Sequence, residues 1–418
     1  MKEKEQKIKK TLRKTVKRIE KDVKSVPEKR TLNFSLVEMI VIIIIVSIIV
    51  SVFSGFLVFK NYNYFSNITS QSSRTTNSKE LKEFIELYEE LKNKYVEDIN
   101  GNELIDAATK GMFDYLDIYT NYLDKNTTTD LQDRLNGEYK GIGVEITNNE
   151  EGFVEIVTVF PNTPAEEVGL KPKDYIISIN GESMIGKSSS DVANTIKGNT
   201  SLEYITLIYR RNGKDKEVKI DVSKVVIPSV ESKILEGNIG YLKLSTFSNT
   251  TYSQVKTNLN KLEENNIKSL IIDLRDNTGG YLQAARDISE LFVNKGKIIY
   301  QLKYKDGRIE KIESISSNNR NYKVVVLINE GSASASEILA LALKESYGAT
   351  LIGKRSFGKG TVQDTSILSN GSMIKYTSAY WLSPSGESIN GVGIEPDIIV
   401  ESKEKKDSIL DKAIETLK

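Results

Sequence analysis

Apolar residues recur at helical spacing in Leu81, Phe84, Ile85, Tyr88, Leu91 and Tyr95, and again after an Asn100-Gly101 break in Leu104, Ile105, Ala108, Met112 and Leu116. This period predicts two short amphipathic helices. Past Tyr139 the period shortens. Runs over Phe153 to Phe160, Tyr175 to Ile179, Tyr204 to Tyr209 and Val218 to Val222 are separated by Gly, Pro and Asn clusters. They predict a β-rich module with one helix, Ser190 to Ile196. From about Ile227 strands alternate with helices: Ile239 to Leu244, helix Tyr252 to Glu264, Leu270 to Leu274, helix Tyr281 to Phe292, Lys323 to Ile328, helix Ser336 to Ser346. That order predicts an α/β layer with parallel strands. A hairpin, Ile298 to Tyr304 and Ile309 to Ile312 about Asp306-Gly307, interrupts it. Ile409, Leu410, Ala413, Ile414 and Leu417 share one face of a last helix, Ser408 to Leu417.

One run fits neither period. Met39 to Phe59 (MIVIIIIVSIIVSVFSGFLVF) holds 21 residues without a charge, about 31 Å as a helix against a hydrocarbon core of about 30 Å. It exits through Lys60-Asn61-Tyr62-Asn63 rather than an Ala-x-Ala-like cleavage site, which predicts an uncleaved signal anchor. The first 30 residues carry 13 Lys/Arg against 5 Asp/Glu, and the remainder 45 against 52. The basic stretch sets the amino end on the cytoplasmic side and everything after residue 60 outside. The mildly acidic body does not read as a nucleic-acid binder. A buried core helix beside a basic nucleic-acid tail is the other reading, but core helices rarely run this long without a polar face.

The expected organisation is a basic cytoplasmic segment (1–38), a transmembrane signal anchor (39–59), a polar linker (60–78), a helical region (79–138), a β-rich domain (139–225), an α/β core (226–400) and a C-terminal helix (401–418). The length of 418 residues accommodates two or three domains. His and Cys are both absent. That removes the Ser-His-Asp triad, thiol nucleophiles, imidazole or thiolate metal sites and disulfides, so catalysis falls to Ser, Thr, Lys, Tyr, Asp, Glu or backbone. No metal or cofactor is expected.

Gly331-Ser332-Ala333-Ser334-Ala335-Ser336-Glu337-Ile338 follows a strand and runs into a helix. Hydroxyls there stand beside free N–H groups and the positive end of the helix dipole, useful for an oxyanion. A Ser-rich turn on its own is more often an N-cap. Two further segments change the odds: Leu270 to Leu274 leading into Arg275-Asp276-Asn277-Thr278-Gly279-Gly280, and Ile352-Gly353-Lys354-Arg355-Ser356-Phe357-Gly358-Lys359-Gly360-Thr361-Val362-Gln363. Together they resemble the carboxyl-terminal processing (tail-specific) proteases, subfamily A of peptidase family S41. The likeness runs on through Tyr380 to Gly386 and Gly391 to Asp397, covering roughly residues 80 to 400.

The resemblance implies a crotonase-like α/β serine protease core. It assigns the nucleophile to Ser334, the general base to Lys359, a base-orienting amide to Gln363, and the oxyanion donors to the N–H groups of Gly280 and Ala335. Elementary chemistry agrees. Without His, Lys can serve as base if its pKa falls from about 10.4 toward 7 to 8. That shift of about 3 units costs about 4 kcal/mol and needs a desolvated pocket. Ser332 and Ser336 read as turn and cap residues, and Glu337 as structural, a carboxylate in a helix's first turn.

Lys140-Gly141-Ile142-Gly143-Val144, then Pro161 to Leu170 and Asp174 to Gly181, resemble a PDZ domain of the protease-associated kind. In such domains a Gly-rich loop offers N–H groups to a terminal carboxylate while the peptide adds as a strand. The resemblance therefore implies peptide binding at Gly141, Ile142, Gly143 and Val144. Lys197 stands where relatives often have Arg, and meets a carboxylate as a point charge without the bidentate fork. Other departures are Lys173 for the usual Gly before Asp174, Thr278 for Pro in the DLR-N-x-GG segment, and Ile118 for Pro in Leu116-Asp117-Ile118-Tyr119.

The expected protein is a single-pass, outward-facing Ser/Lys endopeptidase whose PDZ domain recognises free carboxyl termini and gates the site. Its partners are protein or peptide substrates, a bilayer met through one helix, and a second copy met through the flanking helices. Nucleic acid and nucleotide are not expected. A catalytically silent, membrane-tethered PDZ scaffold or holdase is the competing class. A nucleotide hydrolase, suggested by Gly353-x4-Gly358-Lys359-Gly360, fails because Gly360 sits where a magnesium-binding hydroxyl is needed and the acidic strand end at Asp273 precedes the loop.

Overall fold

The computed structural model describes residues 78–149, 151–199, 202–401 and 406–418. The expected span at 39–59 and its basic flank lie outside the described residues. Among those described, no helix is long and apolar enough to cross a membrane. The chain divides into two compact units at Leu104. In the first, α1 (Lys79–Lys94) starts at Ser78, whose hydroxyl accepts from the Leu81 N–H at 3.2 Å. None of its residues is buried. Helix α2 (Gly101–Asp114) follows.

The second unit begins within α2 at Ile105 and continues with β1 (Asn121–Leu123), α3 (Lys125–Asn136) and β2 (Glu138–Gly141). The β-rich module is a sheet ordered β3 (Val144–Asn148), β4 (Val154–Val159), β5 (Tyr175–Ile179), β7 (Tyr204–Arg211) and β8 (Lys214–Asp221), with β6 (Glu182–Ser183) beside β5. Helices α4 (Pro164–Glu167) and α5 (Ser189–Gly198) complete it around Ile156, Ile176, Val192, Ile205 and Leu207. Strand β9 (Ser223–Val226) returns to pair with β2.

The core is a six-stranded sheet ordered β10 (Val230–Leu235), β11 (Ile239–Leu244), β12 (Ser269–Asp273), β15 (Lys323–Ile328), β16 (Thr350–Gly353) and β19 (Ile398–Ile399), parallel except for β10. Alternate residues bury on opposite faces. Leu242, Leu270, Ile272, Val324 and Val326 meet α6 (Thr251–Glu264), α7 (Leu282–Ser289) and α8 (Ala335–Leu341). Tyr241, Ile271, Val325 and Ile352 meet α9 (Ser408–Leu417). Two covered faces explain the unbroken apolar runs of these strands. A second, antiparallel sheet joins β1, the hairpin β13 (Ile298–Tyr304) and β14 (Ile309–Glu313), β17 (Thr361–Ile367) and β18 (Met373–Leu382).

Three features differ from the sequence reading. Helix α3 (KNTTTDLQDRLN) is polar nearly all round and carries no apolar period, so pattern analysis passes over it; Asp124 caps its start and Gly137 ends it in the left-handed conformation. Strands β17 and β18 are absent from the elements that the pattern predicts. The expected helix Ser336 to Ser346 is α8 followed by one π-helical turn, Ala342–Tyr347, in which Ala342, Leu343 and Ser346 are buried.

Buried Asp273 accepts from the Tyr241 hydroxyl (2.7 Å) and from Arg275 Nη2 (2.6 Å), and Arg275 continues to Asp407 at the start of α9 (2.6 Å). The DLR segment thereby ties the last helix to the sheet. In the β-rich module Arg211 grips buried Asp174 through two bonds of 2.6 Å. Lys173 just before it has φ 71°, the left-handed region that disfavours a Cβ. Lys173→Gly is expected to raise stability by about 0.5–1 kcal/mol, strain relief being partly offset by unfolded-chain entropy. A denaturant midpoint at or below wild type would contradict this.

Candidate active site

Strands β12 and β15 are parallel neighbours, Asp273 opposite Leu327, so the loops leaving their carboxyl ends emerge side by side. One is Arg275 to Gly280 and the other Asn329 to Ser334. Asn277 stitches them together: its Nδ2 donates to Leu244 O (2.9 Å), its Oδ1 accepts from Gly279 N–H (2.9 Å), and its carbonyl accepts from Ala333 N–H (3.0 Å) and the Ser336 hydroxyl (2.7 Å). Ser332 donates to Leu274 O at 2.8 Å. The hydroxyls of Ser332 and Ser336 are thus spent inside the turn.

Ser334 sits between strand and helix at φ 55°, ψ −116°, a strained conformation costing about 1–3 kcal/mol. The turn sets Ser334 at the amino end of α8, on the wall of a cavity. Gly279 and Gly280 lie against it with φ 98° and 141°; a Cβ on Gly279 would stand 2.8 Å from Ala333 O and 3.0 Å from Ala335 N. Only glycine fits this approach. Ala335, first in its helix, has no intrahelical acceptor. Among the described residues no acceptor meets the N–H of either Gly280 or Ala335.

Glu337 is fully buried and organises the rest. Its carboxylate accepts from Ser334 N–H (2.8 Å), the Ser356 hydroxyl (2.6 Å), Gly358 N–H (2.7 Å) and Lys359 N–H (2.9 Å). Burial pushes its pKa up and these donors oppose the rise. All four partners are donors, so the geometry fits the ionised form. Because Ser334 N–H is engaged here, it is not an oxyanion donor. On the far side the Trp381 indole donates to Lys359 O (2.8 Å) and Gly360 N–H to Asn390 (3.1 Å). The Lys359 backbone is held from both sides.

Ser334, Gly280, Lys359 and Gln363 line one cavity of about 480 Å³. Burial lowers the pKa of Lys359, and the like charge of Lys375 lowers it further, against opposing contributions from Asp117 and Glu337. The Tyr119 ring centroid, 4.7 Å from the Lys359 ammonium, favours the charged form. A serine hydroxyl, a desolvated amine and the unengaged Gly280 N–H around one space, with the unengaged Ala335 N–H next to Ser334 in the chain, suit acyl transfer. Gln363 is on the wall, but its amide nitrogen donates to Thr361 (2.8 Å) and Thr377 (3.4 Å), and no bond joins it to Lys359.

Sequence reading passes over Lys375, Tyr119 and Asp117 as site residues. Burial would raise the Asp117 pKa, but hydrogen bonds from Tyr119, Thr377 and Thr120 hold it lower. For Lys375 a signal exists: in MIKYTSAYWL the alternation Met373, Thr377, Ala379, Trp381 faces inward, and Lys375 is in phase with it.

A second cavity, of about 540 Å³, is lined by Tyr139, Ile142, Val144, Ile196 and Lys197, whereas Gly141 and Gly143, beside Ile142 in the chain, are not on its wall. Lys197 contacts Asp130 (2.6 Å) and Asp133 (3.2 Å) of α3. Burial raises the Tyr139 phenol pKa, and the N–H groups of Gly143 and Val144 act on it in the opposite direction. Helix α3 borders both cavities: Asp130, Asp133 and Arg134 face this groove, and Leu131 and Leu135 the cavity of Ser334.

Residues 238–400 match peptidase family S41, 140–222 a PDZ domain, and 49–127 the activating protease CtpB N-terminal domain. The carboxy-terminal processing protease CtpB of Bacillus subtilis (strain 168) is 39% identical over 320 residues, 75% of this chain and 66% of that protein. CtpA of the same organism is 35% identical over 315 residues, 75% and 67%. A probable CtpA-like serine protease of Staphylococcus aureus (strain MRSA252) is 35% identical over 324 residues, 76% and 64%. The chain thus spans about two thirds of the length of these relatives. On this sequence likeness, the chain belongs to the carboxy-terminal processing proteases of peptidase family S41, with a PDZ domain.

Proposed function

We propose that this protein is a membrane-anchored serine endopeptidase, facing away from the cytoplasm, that cleaves proteins near their carboxyl termini through a Ser334/Lys359 dyad on a crotonase-like core. Neutral Lys359 takes the Ser334 hydroxyl proton as Ser334 Oγ attacks the scissile carbonyl. The N–H groups of Gly280 and Ala335 hold the oxyanion. The Lys359 ammonium then gives its proton to the departing amine, and Lys359 activates the water that releases the acyl group. Gln363 orients the amine when substrate is bound. The observation that carries this reading is a half-buried lysine of lowered pKa sharing a cavity with a strained serine and the glycine Gly280, whose N–H is unengaged.

The groove at Ile142, Val144 and Lys197 receives the substrate's terminal carboxylate. In doing so it competes with Asp130 and Asp133 for Lys197, and α3 transmits the exchange to the wall of the catalytic cavity. The exposed apolar side chains of α1, Leu81, Phe84 and Ile85 among them, fit a second copy of the chain. The full-length protein in detergent is expected to cut an unstructured polypeptide with an apolar carboxyl end, and a fluorophosphonate to label Ser334. Terminal-peptide binding without cleavage or labelling would replace this reading by the silent scaffold.

A further inference from the structure

Lys375 projects from β18 on the face it shares with Thr377, and lines the cavity that holds Ser334 and Lys359. No ion pair or hydrogen bond among the described residues involves its ammonium. Arg134, a second cation, acts against its charge and Asp117 acts the other way, while Lys359 shares the cavity and feels the charge of Lys375. Asp117 is already engaged by Tyr119 N–H (2.9 Å) and the Thr120 hydroxyl (3.1 Å). Arg134 has one contact, to the Asp130 carbonyl at 3.4 Å, and no carboxylate partner among the described residues. Asp364 reaches the cavity rim from the opposite pleat, paired with exposed Tyr376. A half-buried ammonium next to a second cation is costly unless an anion completes it.

We propose that Lys375 is a specificity-determining residue: its ammonium receives a carboxylate of the bound peptide inside the catalytic cavity. The proposal rests on the proteolytic reading above. The carboxylate belongs either to an acidic side chain near the scissile bond or to the peptide's own terminus. A lysine suits it as a compact point charge that meets one oxygen from several directions.

The test measures kcat/KM of the full-length protein for peptides differing by one Glu→Gln change at successive positions, and for free-acid and amide forms of one peptide. The terminal arm is repeated with Lys197→Gln, so that the contribution of the groove is removed. Each ratio compares two substrates on one enzyme, so the protonation of Lys359 cancels. The acidic member of one pair is expected to be preferred about tenfold. That preference should collapse in Lys375→Gln, invert in Lys375→Glu and survive in Lys375→Arg. In wild type it should also shrink as salt rises, a readout that needs no variant to fold. Equal rates for every pair, or a preference that Lys375→Gln retains, overturn the subsite alone. Failure to cut any peptide overturns it together with the proteolytic reading.

Discussion

Replacing Ser334 by Ala, or Lys359 by Met, is expected to lower kcat/KM by about 10⁴-fold, and the double replacement should cost no more than either alone. In the proposed mechanism the two groups perform one proton-coupled step, so removing either leaves only substrate binding and the N–H donors of Gly280 and Ala335. Losses that add in the double variant would mean the residues act independently and would refute the dyad. The pH dependence gives a second check with a defined sign. Only the neutral amine is a base, so activity must rise with pH through the Lys359 pKa. Burial and then Lys375 lower that pKa from the ordinary lysine value. The rising limb should therefore lie below that value and move to higher pH in Lys375→Gln, where the like charge is gone. A limb that falls with pH would be incompatible with a lysine base. Ser334→Gly should be inactive yet more stable than Ser334→Ala, because φ 55° strains any residue with a Cβ.

Glu337→Gln is expected to reduce kcat by about 10²-fold with a smaller change in KM, although the side chain keeps its shape. The carboxylate accepts four hydrogen bonds, two at each oxygen, and three of them come from the 356–359 loop. An amide turns one end into a donor: with its nitrogen at the Oε2 position the Ser334 and Lys359 N–H groups lose their acceptor, and at the Oε1 position the Gly358 N–H loses its acceptor and the Ser356 hydroxyl can only accept. The loop then loses the anchor that sets the Lys359 backbone relative to Ser334. Glu337 is a positioning residue under this argument, so rate should fall while peptide binding at the separate groove persists. A Gln variant with wild-type kcat would show that the charge at this position is not what holds the loop.

The amino-acid sequence by itself determined much of the architecture. Periods of 3.6 and 2 residues and the order of strands and helices marked out the β-rich module and the parallel layer, because burial on both faces leaves a continuous apolar signature in β11, β12 and β15. The likeness of three motifs to a known family assigned roles to Ser334, Lys359 and Gly280, which the Ser-rich turn by itself would not have done. What the tertiary structure decided is the rest of the site. Helix α3 owes its place to packing between two cavities rather than to an apolar stripe, so its composition is silent. Lys375, Tyr119 and Asp117 approach Lys359 across long sequence separations through the pairing of β1, β17 and β18, and charges that meet only through a sheet register leave no spacing to read. Glu337 reads in the sequence as an ordinary first-turn carboxylate; only folding the 356–359 loop onto α8 makes it the acceptor shared by Ser334 and Lys359.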